Sequence, residues 1–232
     1  MREKSRCMRT PGTRPSGSHV PWIILPLRGE AAGKSRLAAV LDPIERMRLN
    51  RKLLRRTLDA IAAWQGSLAR CIVVSPCART LAAAHTRGAA VLREPLPRRG
   101  LNRAAALGVR SAKRQGAHRV LILPGDLVLL DPAALGAMAR AATLDTRAAI
   151  APDRAGSGTN ALLFPAGARF RLAFGPDSFA RHMDALRAHG YAVSVRTERG
   201  LRFDLDTPQD LAAMAAATCR ESFHGSLGRP HY

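Results

Sequence analysis

The sequence predicts a three-layer αβα sandwich on a mainly parallel sheet, and three observations carry that prediction. Short strand-like apolar runs alternate with stretches of helical period along residues 20–217. One run, 120–124, is apolar throughout, as expected of a strand covered on both faces. The acids and small residues with chemical potential follow such runs, at the carboxyl ends where α/β sheets bind ligands. Strands and helices alternating at this length point to right-handed βαβ units.

In order, residues 21–27 form the first strand-like run. Over 43–64, Ile44, Met47, Leu54, Leu58 and Ile61 line one face of an amphipathic helix. Asp42-Pro43-Ile44-Glu45 supplies its capping signature, and Arg46, Arg48, Arg51, Arg55 and Arg56 its solvated face. Residues 71–75 give a second strand, 79–87 a helix ended by Gly88, and 89–93 a third strand. A Pro/Arg loop then leads into a helix over 101–115. After the buried strand 120–124, Asp131-Pro132 caps another helix. Runs 148–151, 161–164 and 192–195 read as strands, and 177–189 as a helix closed by Gly190.

The 232 residues suit a single domain over 20–217. Residues 1–19 are basic and rich in Pro, Gly and Ser, without the apolar stretch of a secretory signal. They and residues 218–232 are expected to be loose tails. Hydrophobic residues make up 47% of the chain but aromatics only 4%, so alanine, leucine and valine must fill the core. The 37 Lys and Arg against 17 Asp and Glu leave a formal charge of +20, which favours an anionic partner. Cys7, Cys71, Cys77 and Cys219 form no C-x-x-C or disulfide-like framework, and Cys71 sits in an apolar run as an inert core residue. A reduced, cytoplasmic location is the expectation. No apolar run nears the ~20 residues that span a bilayer.

Chemistry concentrates in a few stretches. Asp204-Leu205-Asp206-Thr207-Pro208 reads as a strand end running into a helix start, with Thr207 as N-cap and Pro208 at the first helical position. Residues two apart on a strand share a side, so the two carboxylates lie together and repel unless a cation or proton intervenes. A hard divalent ion such as Mg²⁺ resolves that repulsion; the alternative is a solvated capping cluster. Asp126 follows the buried strand and could complete a three-acid metal site. The small-residue loop 27–37 carries Lys34 and Arg36, cations suited to phosphate oxygens. It misses the P-loop spacing by one residue between Gly29 and Gly33. Gly156, Gly158, Thr159 and Asn160 form a loop that admits close approach of a ligand. Gly175 and Ser178 stand at a helix N-terminus, and the two segments together suggest a second anion pocket. His182 and His189 lack a third ligand and read as surface residues, and no G-x-S-x-G elbow is present.

These motifs, in this order, resemble the phospholactate/phosphoenolpyruvate guanylyltransferases of coenzyme F(420) biosynthesis. That family is related to the molybdenum-cofactor guanylyltransferases. The resemblance covers about residues 21–215 and rests most on Gly-Pro-Asp-Ser at 175–178 and Asp-Leu-Asp-Thr-Pro at 204–208. It implies a nucleotide-diphospho-sugar-transferase-like fold and transfer of GMP from GTP to a three-carbon phospho-acid, with release of pyrophosphate. By the same resemblance Asp126, Asp204 and Asp206 match the catalytic metal ligands for Mg²⁺. Thr159, Gly175 and Ser178 match the phospho-acid pocket. Lys34 and Arg36 match the triphosphate loop, and Asn102 a nucleotide contact. Val128 departs from the proline often found two residues after the metal-binding acid. The acid substrate stays open among phosphoenolpyruvate, 3-phospho-D-glycerate and 2-phospho-L-lactate. An Ala/Arg-rich, bacterial-like composition favours the first two. The resemblance also implies handover of product to the next deazaflavin-pathway transferase; a homodimer stays open, and neither membrane nor nucleic acid is an expected partner. Two rivals remain: a P-loop-like ATPase, and a basic nucleic-acid-binding protein.

Overall fold

The structure, a computed structural model, describes residues 20–27, 37–95, 100–205 and 207–212. Both expected tails, Lys34, Arg36 and Asp206 lie outside the described residues.

Among the described residues, seven strands form one sheet: β1 (Trp22–Pro26), β2 (Cys71–Ser75), β3 (Ala90–Arg93), β4 (Arg119–Ile122), β5 (Arg147–Pro152), β6 (Thr159–Pro165) and β7 (Ala192–Val195). Their order across the sheet is β3-β2-β1-β4-β6-β5-β7. The pairs β1–β2, β1–β4, β2–β3 and β5–β7 are parallel. β6 runs antiparallel to both β4 and β5. The short loop between β5 and β6 explains that reversal, because parallel neighbours need a crossover of a dozen or more residues.

Helices α1 (Pro43–Gln65), α2 (Ala78–His85) and α4 (Pro132–Ala141) supply one core layer, and α3 (Leu101–Arg114) and α5 (Ser178–Ala188) the other. The strand period of two divides the core between them. Ile23 and Leu25 of β1 pack with Leu54, Leu58, Ile61 and Met138, while Ile24 between them packs with Ala104, Ala105 and Leu186. Alanines on α3 and α4 let the helices lie close to the sheet, which suits a chain short of aromatics. Gly108 takes this furthest: a Cβ there would stand 2.3 Å from Ile24 Cγ2.

The expected caps are present. Asp42 Oδ1 accepts from the Glu45 backbone N–H at 2.7 Å, and Glu45 Oε2 accepts from that of Asp42 at 2.8 Å. Asp131 Oδ1 caps α4 by accepting from Ala134 N–H at 2.7 Å. Cys71 is fully buried, and burial pushes its thiol up to about 12, so it is inert as expected. Buried Arg119, at the amino end of β4, donates to the carbonyls of Leu144 (2.7 Å) and Arg147 (2.6 Å). It stitches the end of the sheet remote from the strand termini that carry the acids.

The segment containing Asp204 departs from expectation. A short helix α6 (Arg199–Arg202) precedes it, and Asp204 makes a single antiparallel bridge to Leu127 in place of a full strand.

Candidate active site

That bridge brings two of the predicted acids into one neighbourhood. Val128 N–H donates to the Phe203 carbonyl at 3.1 Å, and Leu205 N–H donates to the Asp126 carbonyl at 3.3 Å. The peptide of Asp126 is therefore bonded directly to the stretch holding Asp204, at the carboxyl end of β4. Leu127 and Leu205 are fully buried on either side and anchor both segments in the core. Oδ1 of Asp126 is shielded from water. Among the described residues no three His, Cys, Asp or Glu side chains form a metal-holding group. The third acid of the expected set, Asp206, is not among them. The donors at hand are hard carboxylate oxygens on segments bonded to each other, a chemistry that fits Mg²⁺.

Thr207 begins the next helical turn as predicted. Its Oγ1 accepts from Asp210 N–H at 3.2 Å, and Asp210 Oδ2 accepts from Thr207 N–H at 2.8 Å, a reciprocal cap across residues 207–210. Asp210 is buried, and its other oxygen receives Arg154 Nη2 at 2.7 Å. Arg154 also lies 5.5 Å from the ring centre of Phe203, and its carbonyl accepts from Arg202. The Gly-rich loop after β5 is thus tied to the D-x-D-T-P segment on both sides. Arg154 reaches Asp210 from fifty-six residues away, a separation that no local spacing announces.

Thr159, Gly175 and Ser178 also come together. Thr159 opens β6 and is buried; Ser178 opens α5 and is buried. Phe179 N–H donates to the Ser157 carbonyl at 2.9 Å, which lays the start of α5 against the loop leading to Thr159. Ser178 N–H donates to the Gly175 carbonyl at 3.2 Å. Gly175 has φ 127°, where a side chain would be strained, and Asp177 has φ 52°, the left-handed region that Asp tolerates better than most. The turn therefore depends on the Gly-Pro-Asp order at 175–177.

Asn102, on α3, holds that turn from below. Its Nδ2 donates to the Phe174 carbonyl at 3.0 Å, and its Oδ1 accepts from Phe174 N–H at 2.7 Å. Its observed contacts are thus with the backbone beside Gly175. Glu94, at the end of β3, was not singled out by its sequence. It is buried, and its Oε1 has no hydrogen-bond partner among the described residues.

The expectation for His182 is overturned. It is fully buried, not on the surface, and it sits between Thr159 and the 173–174 backbone. Burial and, secondarily, Arg181 push its pKa down to about 4. Spacing misled because helix α5 turns this position inward, where polar partners from β6 and a loop satisfy it. His189 is exposed, as expected.

Acids beyond the carboxyl end of a central strand stand where open α/β sheets bind their ligands. A solved structure from Desulfovibrio desulfuricans G20, assigned as a nucleotide-diphospho-sugar transferase, shares the fold. Its TM-score is 0.67 at 16% identity, over 87% of this chain and 88% of that one. The profile of the family described as "Guanylyl transferase CofC like" matches residues 22–218, and the chain belongs to that family. A phosphoenolpyruvate guanylyltransferase from Rubrobacter xylanophilus is 41% identical, over 84% of this chain and 94% of the relative. A 3-phospho-D-glycerate guanylyltransferase from Phenylobacterium zucineum is 38% identical, over 84% and 90%. Neither the P-loop-like ATPase nor the nucleic-acid-binding reading gains support from these matches. Among the described residues no helix is long and apolar enough to cross a membrane.

Proposed function

We infer that this chain transfers GMP from GTP to a three-carbon phospho-acid and releases pyrophosphate, as a step of coenzyme F(420) biosynthesis. The observation that carries the reading is the bridge joining the Asp126 and Asp204 segments beyond β4. Phosphoenolpyruvate is the acid we favour, with 3-phospho-D-glycerate second, after the names of the relatives at 41% and 38% identity.

In this reading a phosphate oxygen of the acid attacks the α-phosphorus of GTP. A new P–O bond forms, the bond from the α-phosphorus to the β-bridging oxygen breaks, and its electron pair leaves with pyrophosphate. The nucleophile is already an anion, so no general base is required. The barrier is charge repulsion and alignment. Thr159, Gly175 and Ser178 hold the phospho-acid, with the N-terminus of α5 adding a favourable dipole. Lys34 and Arg36 would supply positive charge for the leaving pyrophosphate, and Asn102 keeps the Gly175 turn in place beside the nucleotide. Asp126, Asp204 and Asp206 would hold Mg²⁺, which when bound supplies positive charge against the phosphate oxygens.

The test is direct. The purified protein is incubated with Mg²⁺ and GTP or ATP, and with each of the three acids in turn. Pyrophosphate and the mass of the product are then measured. We expect a guanylylated phosphoenolpyruvate and one pyrophosphate per product. Nucleotide hydrolysis without any acid-dependent adduct would overturn the assignment.

A further inference from the structure

We propose that His182 is a positioning residue that aims the hydroxyl proton of Thr159 into the phospho-acid pocket. One donor at His182 has no choice of role. The backbone N–H of Ala173 can only donate, and it meets His182 Nε2 at 2.9 Å. Nε2 must then be the bare nitrogen of the neutral ring, so the proton sits on Nδ1. Nδ1 lies 3.0 Å from Thr159 Oγ1 and therefore donates to it. With one lone pair of Oγ1 so occupied, the hydroxyl's own proton points away from His182. A hydroxyl locked as a donor suits an anionic ligand and disfavours a ligand that must itself donate.

The surroundings hold this arrangement still. Phe174 presents its ring to the imidazole at 4.7 Å between centres and 68° between planes. Asn102 grips Phe174 through both its N–H and its carbonyl. Ser178 lies four residues before His182 on α5, so both share the face turned toward Thr159. Full burial keeps the ring neutral, which preserves the acceptor at Nε2.

The proposal rests on the assignment of Thr159 to the phospho-acid pocket, and the experiment separates the two. His182→Gln can still accept from Ala173 but loses the donor to Thr159. His182→Asn places an amide N–H near the position of Nδ1 and retains that donor. We expect His182→Gln to raise KM for phosphoenolpyruvate about tenfold, with KM for GTP and the melting temperature little changed. His182→Asn should restore most of the loss. Because His182 acts through Thr159, His182→Gln combined with Thr159→Val should be no worse than Thr159→Val alone. Additive losses, or equal changes in both KM values, would overturn the role of His182 and leave the pocket standing. A Thr159→Val protein with an unchanged KM for phosphoenolpyruvate would remove the pocket assignment and this proposal with it. A measurement on the unaltered protein needs no variant to fold: nitrogen-15 NMR of the histidines should show His182 protonated at Nδ1. A proton at Nε2 overturns the assignment.

Discussion

Asp204 differs from an ordinary helix-capping acid in where its neighbours come from. Asp204 is bridged to Leu127, and the Asp126 carbonyl is bonded to Leu205 N–H. A cap needs only its own helix; this acid is tied to a second strand end. Asp204→Asn and Asp206→Ala should each lower turnover about 100-fold or more, since charge opposite the reacting phosphates is the main lever on the barrier. The melting temperature should stay within a few degrees of the parent, because neither substitution removes an apolar side chain. Turnover within twofold of the parent for either variant would take that residue out of the mechanism. Removing divalent cations with a chelator should abolish turnover, and added Mg²⁺ should restore it.

At the scale of elements, the site depends on two attachments. One is the cap at residues 207–210, where buried Asp210 meets Thr207 and Arg154. Asp210→Ala removes the cap and leaves Arg154 without its carboxylate, a loss of about 2 kcal/mol. Denaturant unfolding should show that loss, together with weaker activity as the acid segment slackens. An unchanged midpoint would mean the cap is not holding the segment. The second is the approach of α3 to the sheet. Gly108→Val would drive side-chain carbons into Ile24 and Val74, already within 2.3 and 3.2 Å of a bare Cβ. Overpacking of this kind costs about 1–3 kcal/mol, and the shifted α3 would carry Asn102 and the Gly175 turn with it. A rise in KM for the phospho-acid alongside the lost stability is the expected signature; a variant as stable as the parent would contradict the packing account.

For the whole molecule, the clearest global readout is acid sensitivity. His182 stays neutral in the fold down to about pH 4, whereas the unfolded ring takes a proton near 6.5. Its folded pKa is depressed by burial, so protons favour the unfolded chain. Stability is therefore complete above about 6.5 and declines as pH falls toward 4, by up to about 3 kcal/mol from this residue. Comparing unfolding midpoints of the parent and His182→Asn across that window checks the sign. Parallel pH profiles for the two proteins would show that His182 is not the group responsible.

Alternating apolar runs and helical periods were enough to place the seven strands of the sheet and the five longer helices within a few residues, because each pattern is local and repeats many times, whereas the four-residue helix α6 is too short to leave a period. The acids at strand ends and the Gly-Pro-Asp-Ser turn were also visible, since cap and turn chemistry is written in consecutive residues. β6 was found as a strand but its direction was not, although the short loop before it contained the answer. Three other features needed the fold: the inward turn of His182, its link to Thr159, and the pairing of Arg154 with Asp210. Each joins residues that are far apart in the chain. A hydrogen bond between such groups leaves no period or spacing behind, and only packing the layers together selects which polar side chains meet.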